Sequence, residues 1–487
     1  EEEEEEEENE DKDPTQEEEG LSDGDATLEE EINDSEEDKE WAAGNNELNR
    51  SVVGDVSMLD VTLPLHDVVA SITNEDLRRL LAACGQKDFG DMMEFTSDIS
   101  TAEKVGEGGY AEVFRITKRW KKEAKKEATI FKILAIENDE YAGEFFPEVI
   151  ISKELTRLQK DHITTSAFAK LHQVKVVRGL FPRLLSDAWV FFRENDDEAE
   201  NEENPLALGD QQLFLILECE FGGHNLTKFP FSSVMEVVSV YCQTALALAV
   251  AESKCQFEHR DLHEQNVLVK RTDDEWIEFN YDLPKKNGGR VGNHKSIRVA
   301  SHGVKTTIID FTLSRLTREK KTVEHEPEIM NIDIGDEVCD QSRKDEQFQV
   351  YKKMKKLTKG KWEQYTPRTN VLWLRMIINW IIKNNLDSNS DVNKKRLGNS
   401  KDARNSRKNT FSKKVSRRQS KRKFTECTSA EEGRKEMSGE TWIKKIKEGK
   451  SLIDALKSFA RGIDKFVSAL DLVSSDSFEK LRLLLLE

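Results

Sequence analysis

Apolar residues fall along this chain in patches of two periods, separated by long polar runs. Asn74-Glu75-Asp76 reads as a helix start, and Leu77, Leu80 and Leu81 supply the apolar stripe that follows. Ile130-Phe131-Lys132-Ile133-Leu134 is a strand-like run whose central cation invites an anionic partner. The blander reading of Lys132 is a side chain snorkelling from an edge strand. Pro147 to Leu155 predicts a helix, with Pro147 suited to its first position. Leu213 to Leu217 predicts a buried strand, preceded by a polar, acidic surface insertion from Arg193 to Gln212. Ala-rich helical spacing from Val234 to Cys255 predicts a central helix. A Gly-, Asn- and Lys-rich loop is predicted from Asn280 to Gly303, then a strand from Val304 to Ile309. Phe348 to Met354 starts another helix, and Trp362, Tyr365, Pro367 and Asn370-Val371-Leu372-Trp373-Leu374 have core character. From Thr441 to Leu486 helical spacing resumes, with Trp442, Ile443, Ile446, Ile453, Leu456, Phe459, Ile463, Phe466 and Leu470 as its buried stripe.

Charge changes this picture mainly at two places. The 487 residues carry a formal charge of −20, yet 24 of the first 40 are Asp or Glu against two Lys. That tail alone accounts for about −22, leaving the rest near neutrality. Residues 1–50 are too poor in apolar groups to offset the entropy of ordering, so they read as a disordered acidic tail, solvated or turned toward a basic partner. From Lys394 to Lys423, 14 residues are Lys or Arg interleaved with Ser and Asn, which reads as a disordered insertion able to serve nuclear import or contact a nucleic-acid backbone. Six scattered cysteines, without a C-x-x-C pair, suit a reducing compartment. No apolar run is expected to span a membrane, and no secretory signal opens the chain. The absence of an initiator Met suggests that an N-terminal portion precedes residue 1.

The chemistry is concentrated in His259-Arg260-Asp261-Leu262-His263-Glu264-Gln265-Asn266. A phosphotransferase loop of this spacing needs an Asp to receive the acceptor's hydroxyl proton and an Asn to ligate magnesium. Asp261 and Asn266 stand at those positions. The strand ending at Ile309 delivers Asp310-Phe311-Thr312, where a metal-binding Asp belongs. Upstream, Gly106-Glu107-Gly108-Gly109-Tyr110-Ala111-Glu112-Val113 supplies a glycine-rich turn able to face phosphates, although alone it is no more than a hairpin. Lys132 requires a helix glutamate; periodicity leaves Glu148 and Glu154 as alternatives. Four elements in this order predict an α+β, bilobal protein-kinase-like fold with a β-rich small lobe and a helical large lobe. The domains expected are an acidic tail (1–50), a small-lobe extension (51–100), a small lobe (101–221), a large lobe (222–393), a basic insertion (394–440) and C-terminal helices (441–487).

The chain resembles the haspin family of atypical histone H3 kinases. Glu258-His259-Arg260-Asp261-Leu262-His263 carries His where most kinases have Lys, as haspins do, and Ile308-Ile309-Asp310-Phe311-Thr312-Leu313-Ser314-Arg315-Leu316 is similar to their D-Y-T-L-S-R-L run. Pro147 to Leu155, Glu220-Phe221-Gly222-Gly223 and Asn370 to Leu374 are similarly close. The resemblance covers roughly residues 100 to 385 and the last 30 or so. It implies an ATP- and Mg2+-dependent serine/threonine kinase acting on a threonine near the N-terminus of the histone H3 tail, in the nucleus on mitotic chromatin. It also implies an activation segment that needs no phosphorylation.

The same resemblance implies the site residues. Glu148 becomes the partner of Lys132, Asp261 the base, His263 a group orienting substrate, and Asn266 and Asp310 the magnesium ligands. Gly106, Glu107, Gly108, Gly109, Tyr110, Ala111, Val113 and Lys132 would line the nucleotide with Glu220, Phe221 and Gly222 of the hinge. Glu107, His263 and Asp345 would face substrate. The sequence departs from the family after the hinge, where His224-Asn225-Leu226-Thr227 lacks the expected acids, and at Cys219, which replaces a large aromatic and predicts a roomier back pocket. Other readings are a diverged kinase with a different basic substrate, a pseudokinase or chromatin scaffold, and a nucleic-acid binder led by the basic tract.

Overall fold

A computed structural model of the chain places six strands in one sheet: β1 (Gly90–Asp91), β2 (Ile99–Gly108), β3 (Ala111–Lys118), β4 (Thr129–Ile136), β5 (Leu171–Arg178) and β6 (Leu213–Glu220). Their spatial order is β1-β5-β6-β4-β3-β2, antiparallel except where β1 pairs with β5. Residues 62–486 are described, apart from 109–110, 120–127, 137–141, 160–163, 197–198, 284–293, 319–326, 336–337, 340–344 and 387–448. The acidic tail, the basic tract, Trp442, Ile443 and Ile446 lie outside the described residues.

Because successive strand residues point to opposite faces, the sheet separates two apolar layers. Phe114, Phe131, Ile133, Phe214 and Ile216 pack on one side with Phe181, Leu185 and Trp189. Leu134, Ile136, Leu215 and Leu217 pack on the other with Ile150, Ile151 and Leu155. Lys132 shares the parity of Leu134 and Ile136, so β4 aims it at the helix that carries Glu148.

The helices α1 (Glu75–Cys84), α2 (Ala142–Arg157) and α3 (Arg183–Asn195) surround the sheet. Asn74 caps α1 by accepting from the Leu77 amide at 2.9 Å, and buried Lys153 of α2 donates to the Ala83 carbonyl at 2.5 Å. Gln86 then pairs with both backbone groups of Val176 on β5, at 2.7 and 3.0 Å. Residues 62–100 are thus stitched into the lobe, and β1 and the start of β2 come from the stretch expected to extend it.

One local expectation is corrected: Pro147 lies inside α2 rather than at its first position, because the helix begins five residues earlier at Ala142. Arg193 to Gln212 runs over the surface as expected, its described residues exposed or half-buried apart from Pro205. Its first residues finish α3, whose Leu185 and Trp189 are buried, and Asn201 ties it to the sheet by donating to Glu112 at 2.9 Å.

The larger lobe is built on α4 (Val234–Cys255), capped by Ser233 and buried around almost its whole circumference. The expectation that no apolar run is long enough to cross a membrane fails for α4 on length and composition, but protein covers nearly all of it. Beside it lie a three-stranded sheet, β7 (His224–Asn225), β8 (Val267–Arg271) and β11 (Val304–Ile308), and the hairpin of β9 (Trp276–Asp282) and β10 (His294–Ala300). That hairpin corrects the loop expected between Asn280 and Gly303: Ile277, Phe279 and Tyr281 alternate inward and bury its face. After the short pair β12 (Leu316–Arg318) and β13 (Glu328–Met330) come α5 (Glu346–Thr358) and α6 (Arg368–Ile381). The C-terminal stripe is not one helix. It breaks at Gly462 and at the capping residues Ser468 and Ser475 into α7 (Lys450–Arg461), α8 (Ala469–Val473) and α9 (Asp476–Leu483).

Near the end of α4, Glu252 is buried and accepts from Asn370 Nδ2 at 2.9 Å and from the Ala469 and Leu470 amides at 2.9 and 2.8 Å. Burial pushes its carboxyl up to about 7 against those donors. Asn370 in turn accepts from the His259 amide at 3.0 Å and donates to the Phe257 carbonyl at 2.9 Å.

Candidate active site

The roof of the cleft is a cross-lobe ionic cluster. Lys132 Nζ lies 2.6 Å from Glu148 Oε1 and 3.2 Å from Asp310 Oδ1. Burial opposes the charge on Lys132, but Asp310 and Glu148 hold its pKa above the ordinary lysine value. Asp310 is affected in the complementary sense: against the cost of burial, Lys132 and the hydrogen bonds of Thr312 and Lys132 keep its carboxyl well below the usual range. Thr312 Oγ1 sits within the cluster, 2.7 Å from Asp310 Oδ1 and 3.3 Å from both Lys132 Nζ and Glu148 Oε2. Asp310 adopts φ 64°, a strained backbone tolerated best by Asp and Asn among residues with a side chain. Glu154, the alternative partner of Lys132, instead binds Arg157 at 2.6 Å and Arg318 at 3.0 Å.

The floor is the loop from Glu258 to Asn266, and its backbone is tied down at every turn. Glu258 and Arg315 exchange two backbone hydrogen bonds at 2.8 Å. Arg260, buried at φ 66°, donates to the Trp362 carbonyl and Asn331 Oδ1, both at 2.5 Å. His259 Nε2 meets the Ile309 carbonyl at 3.0 Å, while Nδ1 accepts from the Asp261 amide at 3.2 Å. These partners assign the proton to Nε2, and burial lowers the ring's pKa to about 4, keeping it neutral. Asn266 Nδ2 donates to the Asp261 carbonyl at 2.8 Å, so its side-chain oxygen remains for another ligand.

Asp261 itself is held differently from Asp310. Its Oδ1 accepts from the Tyr351 hydroxyl at 2.5 Å and Gln347 Nε2 at 3.3 Å, both from α5. Burial pushes its pKa up to about 8 despite those donors, and the negative charge of Asp310 adds to the rise. His263 Nε2 is 4.0 Å from the same oxygen, and burial lowers the pKa of that imidazole.

On the nucleotide side, β2 and β3 form the glycine-rich hairpin, with Gly106 opposite Val113 and Gly108 opposite Ala111. Gly109 and Tyr110 lie outside the described residues. A Cβ added at Gly106 would meet no atom of the described residues within 4 Å, so that edge has room beside it among them. The hinge leaves β6 at Glu220, whose carboxylate binds Lys270 at 2.5 Å, and Phe221 lies under the Arg115 guanidinium at 4.8 Å. Gly223 must be glycine: at φ 103°, a Cβ would sit 2.1 Å from the Val269 carbonyl oxygen. Cys219 lies on the same sheet face as Lys132, and burial pushes its thiol up to about 12, which keeps it unreactive.

Among the described residues no cluster of His, Cys, Asp and Glu could hold a metal ion unaided. The oxygens of Asp310 and Asn266 could hold a divalent cation only together with further oxygen ligands, such as those of a phosphate chain and water. Of the residues expected to face substrate, Glu107 is turned to other partners: it pairs with buried Lys104 and accepts from the Glu200 and Asn201 amides. Asp345 is exposed at the start of α5, and His224 and Asn225 are engaged in pairing β7 to β8. Sequence reasoning missed Gln347 and Tyr351. Their four-residue spacing on a helix was visible, but their partner lies about 90 residues away.

Residues 63–432 match the family described as haspin like kinase domain. Among curated proteins, the chain is 35% identical over 318 residues to serine/threonine-protein kinase haspin of Mus musculus, covering 62% of this chain and 39% of that protein. It is 31% identical over 316 residues to the haspin homolog of Drosophila melanogaster, covering 62% and 52%. With the homolog of Schizosaccharomyces pombe the figures are 30% over 325 residues, 64% and 62%. The chain thus spans between about two fifths and three fifths of the length of these relatives.

Proposed function

This chain belongs to the haspin-like kinase family, and from that premise we propose that it is an ATP- and Mg2+-dependent serine/threonine protein kinase. The observation that carries the reading is the placement of Lys132 within 2.6 Å of Glu148 and 3.2 Å of Asp310, bringing strand, helix and metal-binding motif together over the Asp261 loop. Lys132, fixed by Glu148, would contact the α- and β-phosphates, and Asp310 and Asn266 would hold the magnesium. When bound, the metal neutralises charge developing on the phosphate oxygens. Asp261 would orient the acceptor hydroxyl and take its proton, and burial, by raising its pKa, makes its ionised carboxylate a stronger base for that task. His259, neutral and bridging Asp261 to Ile309, keeps the base in register with the strand that precedes Asp310.

The substrate proposed is a threonine near the N-terminus of the histone H3 tail, reached in the nucleus on mitotic chromatin. Membership of the haspin-like kinase family, with the likeness of the runs around Asp261 and Asp310 to that family's, supports this choice. A second reading, a haspin-type kinase with another basic substrate, is favoured by Glu107, whose carboxylate is engaged by Lys104 and the 200–201 amides rather than presented to the cleft. Radiolabel transfer from ATP to an H3-tail peptide and to a library of basic peptides separates the two. Phosphorylation of the H3 peptide by the wild type, with a drop of about a thousandfold in Asp261→Asn, supports the first reading. Transfer only to other library members supports the second, and equal signal from wild type and variant refutes catalysis at this site.

A further inference from the structure

The two donors to Asp261 Oδ1 come from neighbouring turns of α5. Gln347 and Tyr351 are four residues apart and so share a helix face. Gln347 Nε2 also lies 3.1 Å from the Tyr351 hydroxyl, making the three polar atoms one cluster. Tyr351 is 3% exposed. Its ring packs edge-on against Trp373 at 5.4 Å and Phe348 at 5.9 Å. Trp373 is fully buried, with its indole nitrogen 3.1 Å from Met354 Sδ on α5. The ring has little freedom to carry its hydroxyl away.

We propose that Tyr351, assisted by Gln347, is a positioning residue that engages one oxygen of Asp261 and thereby presents the other, Oδ2, to the acceptor hydroxyl. The inference rests on the kinase reading. Among the described residues no hydrogen bond reaches Oδ2, while Oδ1 takes both donors and faces His263 Nε2 at 4.0 Å. The loop fixes only the backbone of Asp261, through His259 Nδ1 at its amide and Asn266 Nδ2 at its carbonyl. Rotation of the carboxylate about its last bond is otherwise soft, because that torsion is broad. A base must be aligned to be effective, so the donors from α5 supply what the loop does not.

The test is steady-state phosphorylation, by the full chain, of whichever peptide the wild type modifies best. Removing one hydrogen bond to a charged group predicts that Tyr351→Phe lowers kcat about tenfold, and that Gln347→Leu lowers it about threefold. KM for ATP and stabilisation by ATP with magnesium should change by less than about twofold, since the nucleotide site is untouched. In an Asp261→Ala background neither substitution should lower the residual rate further, because the oxygen they act through is gone. A Tyr351→Phe enzyme as active as the wild type, or more active, overturns the proposal. So does an equal loss in the Asp261→Ala background, which would mark a packing role. If Tyr351→Phe fails to fold, half-buried Gln347 carries the same comparison. A wild type that phosphorylates nothing removes the kinase reading and this inference together, whereas an active wild type with an indifferent Tyr351→Phe removes the inference alone.

Discussion

Two aspartates face the same cleft from opposite walls and are held in opposite ways. Asp310, on the roof, is compensated by Lys132 at 3.2 Å and kept ionised. Asp261, on the floor, has among the described residues only the neutral donors Tyr351 and Gln347 on its carboxylate, and burial lifts it to about 8. The difference teaches how surroundings set chemistry. A group whose charge is permanent would suit a cation, and a group with a raised pKa would suit proton transfer, so identical side chains become fit for the two roles proposed above.

Breaking the roof should have the larger effect. Asp310→Asn is expected to abolish magnesium-dependent thermal stabilisation by ATP and to lower phosphoryl transfer by about a thousandfold or more, whereas Asp261→Asn should retain the stabilisation. Differential scanning fluorimetry with and without the metal distinguishes the two. Retention by both variants would erase the contrast.

The next effect is on pH dependence and sharpens the contrast by sign. Asp261 has a folded pKa above its unfolded value, so ionising it costs stability progressively from about pH 4 to its folded value of about 8. Relative to Asp261→Asn, the wild type should therefore lose stability across that window in denaturant titrations without ligand. Asp310 has a depressed folded pKa, so its contribution is fully present above the unfolded value and is lost only in stronger acid. The difference between wild type and Asp310→Asn should be flat over the same window. Parallel slopes for both pairs would contradict the assignment.

The smallest effect belongs to Thr312, whose hydroxyl lies 2.7 Å from Asp310 and 3.3 Å from Lys132. Thr312→Val keeps the shape and removes the hydrogen bonds, so KM for ATP should rise about threefold with kcat nearly unchanged. A loss in kcat alone would place Thr312 with the floor instead.

The parts of this cleft that sequence made legible are those set by short spacing or local pattern. Asp261 and Asn266 are five residues apart, and Lys132 announced itself as a cation in an apolar strand. Glu148 was not separable from Glu154 by periodicity, since both flank the apolar face; Arg157 and Arg318 bind the latter. The β9–β10 hairpin was obscured because Gly, Asn and Lys between its strands outweighed the alternation of Ile277, Phe279 and Tyr281. Ser468 and Ser475 carried the signal for breaking the last helices, but the apolar stripe runs through them. Tyr351 falls in a stretch whose pattern says only that a helix starts, and nothing local marks a hydroxyl bond to a residue 90 positions earlier.

Glu252 gives the C-terminal segment a weight its distance from the cleft conceals. The same carboxyl that receives the amides of Ala469 and Leu470 holds Asn370, and Asn370 clasps the backbone on either side of Glu258. A chain stopped before Ala469 would strip two donors from a buried acid that supports the Asp261 loop through Asn370. Residues 469–487 are a foundation stone, and any shortened version of this protein intended to work should keep them.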